Sequence, residues 1–176
     1  TMDRSYMESV WWVFKQLWDR QLIYEGHKSM HICPRCQTPL SNFEVTQGYA
    51  EVEDIGATVQ FRLLNAREKL GLSDDVFMLA WTTTPWTLPG NALLAVNPGL
   101  QYALVEHEGA QYILFEGAVE RVFAQRHGYS VVKTMFGSDL LSLSYQPLFS
   151  YFADTVNAFR VVVGDFVSTN EGTGVV

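Results

Sequence analysis

Apolar residues recur every three or four positions in the N-terminal part of the chain, which places them on one face of a helix. We predict a helix from Asp3 to Tyr24. Ser5 and Glu8 have the spacing of a capping box, and Gly26 stands where such a helix would stop. The helix face is expected to pack as ordinary core, and it carries Met7, Val10, Trp11, Trp12, Phe14, Leu17 and Trp18.

From about Tyr49 onward the pattern changes to short apolar runs separated by turn residues, which predicts β-strands. Gly109 suits a hairpin turn over His107 to Ala110, and Glu116 to His127 has helical spacing with Val119, Val122 and Phe123 facing inward. The predicted strands are Thr58–Leu63, Val76–Thr83, Ala92–Val96, Tyr102–Glu106, Tyr112–Phe115, Ser130–Thr134 and Arg160–Val167.

Many short strands with few helices favour a mostly β domain of the α+β class, built as a β-barrel or as a closed, strongly bent sheet. The stretch HICPRCQTPLSNFEV between the helix and the strands is rich in turn residues and predicts a small knuckle. The predicted organisation is a helical lead-in over residues 1–25, a Cys-pair knuckle over 26–48 and a β-barrel-like domain over 49–176.

Composition fits one sizeable core, since the chain has 176 residues of which 48% are hydrophobic. The net charge of -7 argues against broad binding to a phosphate backbone, so any RNA contact should be local. No apolar run reaches the roughly 18 residues of a membrane span, and no signal peptide is recognisable. We expect a cytoplasmic protein that binds neither membrane nor DNA.

The two cysteines, Cys33 and Cys36, have the spacing CPRC. Cysteines two residues apart suit thiolate metal ligation better than a structural disulfide, and they indicate a reducing compartment. A closed structural zinc site takes about four ligands, of which this pair supplies half. His27 and His31 could complete the set only by crowding all the ligands into one short stretch.

The segment WTTTPWTLPGN, from Trp81 to Asn91, is the main candidate for chemistry. Proline cannot continue a central strand, so the strand must end or bulge near Pro85. Threonine hydroxyls and methyls then lie at a strand end beside an indole, where they could form a small pocket. From the residues alone, the pattern favours a strand that uses threonine for its β propensity and then turns.

The segment WTTTPWTLPGNALLAVNP resembles the threonine-rich motif of the isoleucyl-tRNA synthetase editing domain, a member of the class I aminoacyl-tRNA synthetases. The valyl and leucyl relatives carry arginine and an acidic residue where this chain has Thr84 and Trp86. The stretch MESVWWVFKQLWDRQLIYEGHKSMHICPRCQTPLSNFEV resembles the entry into that insertion, and DFVSTNEGTGVV resembles the approach to the second half of its pocket.

The resemblance implies hydrolysis of the ester between a misattached valine and the terminal adenosine of tRNA(Ile), with isoleucine excluded by size. Isoleucyl-tRNA synthetase is itself the standard worked example of this sieve, in which one methylene is worth only about 1–3 kcal/mol. By similarity, Thr82, Thr83, Thr84 and Asn91 would be the catalytic residues. Substrate-binding residues would be Trp81, Trp86, Thr87, Gly172 and Thr173.

No covalent nucleophile is implied, because the chain has no serine elbow and its histidines lack a recognisable nucleophile partner. His27, His31, His107 and His127 are interpreted as surface or packing residues. The family's motif continues past Val176 with a histidine, an alanine-proline pair and an acidic residue, and a second Cys pair follows later. We therefore expect a chain cut inside its domain, which by itself hydrolyses misacylated tRNA poorly or not at all.

The resemblance also implies cofactors and partners. Zinc would bind Cys33 and Cys36 in the full-length protein, whereas ATP and magnesium would serve the parent's catalytic domain, because this chain has no phosphate-binding loop. Partners would be the acceptor end of tRNA(Ile) and the rest of the synthetase polypeptide. Three alternatives stay open: a valyl or leucyl paralogue, a non-catalytic zinc-knuckle module that docks RNA, and a β-rich structural domain.

Overall fold

The computed structural model describes every residue from Thr1 to Val176, in two compact units, Thr1–Val52 and Glu53–Val176. The first unit contains two helices, α1 (Arg4–Asp19) and α2 (Asn42–Thr46), and an isolated antiparallel bridge between Ile32 and Pro39. None of the helices is both long enough and apolar enough to cross a membrane.

Helix α1 confirms the predicted N-terminal helix but differs at both ends. Asp3, rather than Ser5, is the N-cap, because its carboxylate accepts a hydrogen bond from the Ser5 backbone N–H. The helix ends at Asp19, well before Gly26. The predicted capping box and stop signal are therefore wrong: an acidic side chain closer to the first free N–H groups satisfies them instead.

The expectation that the aromatic face of α1 packs as ordinary core is also wrong. No residue of the helix is buried, and Trp11 and Trp12 are 75% and 65% exposed. The first unit has only one other short helix and no sheet, so it offers nothing broad enough to cover this face. Helical spacing correctly indicated the face but could not show whether a partner covers it.

The second unit holds all seven predicted strands, each within a few residues of its predicted bounds. They are β1 (Ala57–Arg62), β2 (Val76–Thr82), β3 (Leu93–Val96), β4 (Gln101–His107), β5 (Ala110–Phe115), β6 (Ser130–Phe136) and β7 (Arg160–Val163). Two short helices, α3 (Ala66–Leu70) and α4 (Val119–Phe123), complete the regular structure, with 3₁₀ turns at Pro85–Gly90, Glu116–Ala118, Gly137–Leu140 and Ser150–Phe152.

The strands form two sheets, which confirms the mostly β, α+β class. A five-stranded sheet has the order β1-β2-β5-β4-β6, antiparallel except between β2 and β5, and β3 pairs with β7 in parallel. The sheets do not close into a barrel, because β1 and β6 end the larger sheet without pairing to each other. The predicted hairpin between β4 and β5 is present, and Glu108 and Gly109 at its tip both have positive φ.

Alternation along β2 gives the second unit two cores. Met78 and Ala80 belong to the larger cluster, whereas Leu79 belongs to a smaller cluster on the opposite face. Helix α4 covers that smaller cluster with Val119 and Phe123, as predicted, although the helix ends at Phe123 instead of His127. The β1–β2 end of the sheet therefore has two chemically distinct faces, and both bear on the site described next.

Of the histidines, His27, His31 and His127 are exposed and His107 is buried against Phe123, with ring centroids 5.7 Å apart. These positions confirm the interpretation of all four as surface or packing residues.

Candidate active site

The threonine-rich segment lies where β2 leaves the sheet. The strand ends at Thr82, and Pro85 begins the 3₁₀ turn that runs to Gly90. Proline has no N–H to give to the ladder but fits the first position of a helical turn, so the chain changes direction here. This confirms the predicted end of the strand, one residue earlier than Thr83.

Three threonine hydroxyls form a chain of hydrogen bonds across this corner. The Thr82 Oγ1 accepts from the Thr84 N–H at 3.0 Å and lies 3.3 Å from the Thr84 Oγ1, which lies 3.4 Å from the Thr87 Oγ1. Thr87 in turn donates to the Thr84 carbonyl at 2.7 Å. Because Thr87 donates to the Thr84 carbonyl, Thr84 must donate to Thr87 and Thr82 to Thr84 if all three links are kept. The hydroxyl oxygens can then still accept a hydrogen bond from a ligand.

The hydroxyl chain opens onto a cavity of about 430 Å³, which we call the threonine cavity. Its polar side is formed by Thr82, Thr84, Thr87 and Asn91. The remaining wall is apolar and consists of Val59, Phe61, Ala80, Trp81, Leu88, Ala92, Leu93, Leu94 and Val176, with Gly90 at the turn. A mostly apolar cavity with a few convergent hydroxyls is the usual form of a small-ligand site.

Thr83 differs from its neighbours, because its hydroxyl makes no hydrogen bond within the chain and the residue is exposed. It lines a second cavity of about 460 Å³, the loop cavity, together with Trp81 and Thr82. The opposite wall consists of Ser168, Asn170, Glu171, Gly174, Val175 and Val176. Thr82 and Trp81 line both cavities, so the two spaces meet at the end of β2.

Asn91 is held in place by both ends of its amide. Its Nδ2 donates to the Leu93 carbonyl at 3.1 Å, and its Oδ1 accepts from the Tyr145 hydroxyl at 2.7 Å. Burial raises the pKa of Tyr145 well above its ordinary value, an effect that the bond to Asn91 opposes in part, so the phenol stays a donor through neutral pH. Tyr145 was not predicted from the sequence, because it lies outside every motif. Its hydroxyl holds the Asn91 amide in position.

The Gly172–Gly174 loop is fixed by backbone contacts. Gly172 and Gly174 have φ of 69° and 71°, a region that favours glycine. The Tyr102 hydroxyl donates to the Gly174 carbonyl at 2.7 Å, and Arg121 donates to the Gly172 carbonyl. An antiparallel bridge from Val175 to Val96 then ties the loop to β3.

The predicted site residues therefore do not all meet in one place. The threonine cavity unites Trp81, Thr82, Thr84, Thr87 and Asn91, while Thr83 faces the loop cavity. Trp86 is 63% exposed and lines neither cavity. Gly172 and Thr173 lie against the far side of the Trp81 indole, and Thr173 is only 1% exposed.

Cys33 and Cys36 lie in the first unit, in the tight turn between the bridged residues Ile32 and Pro39. Both are free thiols, and hydrogen bonds from Thr38 first and Cys33 second lower the pKa of Cys36, whose Sγ is 3.0 Å from the Thr38 Oγ1. A lowered thiol pKa favours the thiolate that metals bind. No three His, Cys, Asp or Glu side chains are grouped to hold a metal, so the pair fits half of a zinc site.

Two solved structures share this fold. The crystal structure of GlLeuRS-CP1 superimposes with a TM-score of 0.55 at 22% identity, covering 69% of this chain and 53% of that chain. The editing domain of the cytosolic leucyl-tRNA synthetase of P. knowlesi gives a TM-score of 0.53 at 15% identity, over 74% of this chain and 59% of that one. The fold is thus one found in synthetase editing domains.

Sequence similarity then places the chain more narrowly. A family model for the class I tRNA synthetases of isoleucine, leucine, methionine and valine matches residues 1–171. The chain belongs to this family. It is similar over its whole length to the isoleucine–tRNA ligase of Treponema denticola, with 42% identity, and it spans 18% of the length of that relative.

Proposed function

We propose that this chain supplies the editing site of an isoleucine–tRNA ligase and hydrolyses the ester of valyl-tRNA(Ile). The observation that carries the proposal is the linked chain of Thr82, Thr84 and Thr87 hydroxyls at the mouth of a cavity of about 430 Å³. The chain's family and its editing-domain fold support it.

The reaction needs no covalent intermediate. A water oxygen attacks the ester carbonyl carbon, the bond from that carbon to the ribose oxygen breaks, and the ribose oxygen takes up a proton. The linked threonine hydroxyls can accept hydrogen bonds that orient the substrate and the water. The hydroxyl of Thr83, which makes no bond within the chain, is free to donate to the oxygen on which negative charge develops. Asn91 keeps its place because Tyr145 and the Leu93 carbonyl hold its amide.

Size exclusion follows from the same wall. Within the threonine cavity, the methyls of its threonines and of Leu88 would set the size limit where the amino-acid side chain lies, because packed groups yield little to one additional methylene. A pocket that selects by binding a larger side chain gains only about 1–3 kcal/mol per methylene. A second pocket that admits valine and excludes isoleucine multiplies the two selections.

The test is deacylation by the full-length enzyme that carries this chain, with valyl-tRNA(Ile) and isoleucyl-tRNA(Ile) as separate substrates. We expect valyl-tRNA to be cleared about 100-fold faster, on the order of what steric exclusion of one methylene provides. Equal rates with the two substrates, or clearance of neither, would refute the proposal. A valyl or leucyl paralogue would be revealed by clearance of a different misacylated tRNA.

The remaining features of the full-length enzyme are proposed because the chain belongs to the class I tRNA synthetase family. ATP and magnesium would act in the aminoacylating part, tRNA(Ile) and the rest of the polypeptide would be the partners, and the enzyme would work in the cytoplasm during protein synthesis. Aminoacylation assayed with and without ATP, and fractionation of cells that express the enzyme, are the measurements that check these points.

We further propose that Cys33 and Cys36 provide two thiolates to a structural zinc in the full-length protein, the other two coming from outside this chain. Replacing both by serine should lower the zinc content of the purified enzyme by one atom per chain, measured by atomic absorption. The comparison is Ser29→Ala, a change in the same knuckle that removes no thiol and should leave the zinc content unaltered. Equal zinc in the cysteine variant would exclude the pair as ligands.

A further inference from the structure

A third cavity, the arginine cavity, lies on the other face of the sheet from the threonine cavity. Strand pairing shows this: Thr58 is opposite Trp81 and Gln60 is opposite Leu79, and all four line the arginine cavity. The residues that alternate with them along the two strands, Val59, Phe61 and Ala80, line the threonine cavity. Successive strand side chains point to opposite faces, so the two spaces are separated by the sheet, and Trp81 is the residue that lines both.

Positive charge distinguishes the arginine cavity, which has a volume of about 270 Å³. Arg121 and Arg126 both line it, and neither takes part in any ion pair of the chain. Arg121 uses one N–H for the Gly172 carbonyl, and Arg126 lies over the Phe123 ring at 5.7 Å. No Asp or Glu lines the cavity, although the protein as a whole carries a net charge of -7.

The neutral groups of the cavity suit the same kind of ligand. Thr58 and Gln60 bring a hydroxyl and an amide, and the hydroxyl of Thr173 is buried without a hydrogen-bond partner. Trp81 and Tyr112 add aromatic surface. Paired guanidinium groups with uncharged donors match the geometry of a phosphate, and aromatic rings beside them offer a surface for an unpaired base.

We propose that the arginine cavity binds a backbone phosphate of the unpaired nucleotides next to the reacting end of the tRNA. The proposal rests on the proposed function, and it adds a second contact that positions the RNA while the ester occupies the threonine cavity. The volume is smaller than the roughly 300 Å³ of the smallest ordinary ligand pockets, which suits a phosphate with part of its sugar. Because Trp81 lines all three cavities, the phosphate and the ester would lie close together, on opposite faces of the sheet at the end of β2.

The experiment compares Arg126→Gln with Arg67→Gln in the full-length enzyme. Arg67 is a matched control, since it is exposed in the same unit and already paired with Asp74 at 2.9 Å. Arg126→Gln should raise KM for valyl-tRNA deacylation about 10-fold with kcat little changed, as for one lost charged hydrogen bond. It should also reduce the salt dependence of tRNA binding by about 0.7 in the log–log slope, the value for one single-strand phosphate.

Arg121→Gln is expected to act in the same direction but also to loosen the Gly172 loop, so Arg126 is the decisive position. Arg126→Lys should recover most of the salt slope but only part of the affinity, because lysine keeps the charge and loses the planar fork. The proposal is overturned if Arg126→Gln and Arg67→Gln behave alike in both KM and salt slope.

Two further results show whether the bound phosphate belongs to tRNA or to a free nucleotide, and whether the phosphate site stands if the editing proposal fails. Inorganic phosphate and adenosine monophosphate are titrated as competitors of tRNA binding. If Arg126→Gln abolishes competition by the monophosphate but leaves tRNA binding intact, the site serves a free nucleotide and the RNA assignment is wrong. If the native enzyme fails to clear valyl-tRNA while Arg126→Gln still weakens tRNA binding and its salt slope, the editing proposal fails and the phosphate site stands.

Discussion

Replacing Thr83 with valine is expected to slow deacylation of valyl-tRNA by the full-length enzyme about 100-fold, the typical cost of losing one donor to a developing oxyanion. Thr83 is the one threonine of the segment whose hydroxyl makes no internal hydrogen bond, and it is exposed toward the loop cavity. Valine has nearly the same shape, so the change removes the hydroxyl and little else. The rate is measured as release of valine from preformed valyl-tRNA under single-turnover conditions.

Stability should separate this effect from unfolding. Thr83→Val breaks no bond within the chain, so the free energy of unfolding should change by no more than about 0.5 kcal/mol in a urea titration. The contrasting variant is Thr87→Val, which breaks the 2.7 Å bond to the Thr84 carbonyl and should cost about 1 kcal/mol. If Thr83→Val clears valyl-tRNA at the native rate, the assignment of Thr83 as a catalytic residue is wrong.

Gly174→Ala is expected to lower the free energy of unfolding by about 3 kcal/mol or more. A Cβ at this position would lie 2.3 Å from the Phe115 Cβ, and the φ of +71° is costly for any residue with a side chain. The loop would have to move, and its movement would break the buried bond from the Tyr102 hydroxyl to the Gly174 carbonyl. Deacylation should fall as well, because Gly174 lines the loop cavity.

Gly109→Ala is the matched control for that prediction. Gly109 has a similar φ of +80°, but a Cβ there would have no heavy atom within 4 Å. It should therefore show the backbone strain alone, about 1–2 kcal/mol, without the clash. Chemical denaturation of both variants measures the difference. Equal losses would mean that the contact with Phe115 relaxes freely and that the loop is not rigidly held.

The strands were predictable from the sequence because their signals are local. β1, β4 and β5 have apolar runs bounded by turn residues, and the hairpin glycine at Gly109 fixes the link between β4 and β5. Which strands pair with each other was not predictable, because the pairing of β3 with β7 joins residues far apart in the chain. A closed barrel was expected from strand number alone, and strand number does not specify which edges meet.

Only part of the site was predictable, for a related reason. The segment from Thr82 to Asn91 is continuous, so its motif brings along the polar side of the threonine cavity. Tyr145 carries no motif, yet a tertiary contact places its hydroxyl 2.7 Å from Asn91. Replacing Asn91 with alanine would leave this buried phenol without its acceptor, so the change should also destabilise the fold.

The same limits explain Trp86 and Thr173. Trp86 is a neighbour of the pocket residues in sequence, but the 3₁₀ turn that begins at Pro85 carries its ring into solvent. Thr173 shares a motif with Gly172, but the alternation of faces at the β1–β2 end of the sheet places it on the side of Trp81 away from the threonine cavity. Proximity in sequence did not indicate which face of the sheet a residue would reach.

The parallel pairing of β3 with β7 has a consequence for how the second unit folds. Leu93 pairs with Arg160, and the bridge from Val96 to Val175 reaches further still, so both contacts close long loops. Such contacts are slow to form, because much loop-closure entropy is lost before they stabilise anything. During synthesis the ribosome must release the chain beyond Val175 before Leu94 and Val176 can complete the cavity wall. The threonines of the cavity are thus synthesised before the residue that completes its wall, so the cavity can select by size only after Val176 has been added.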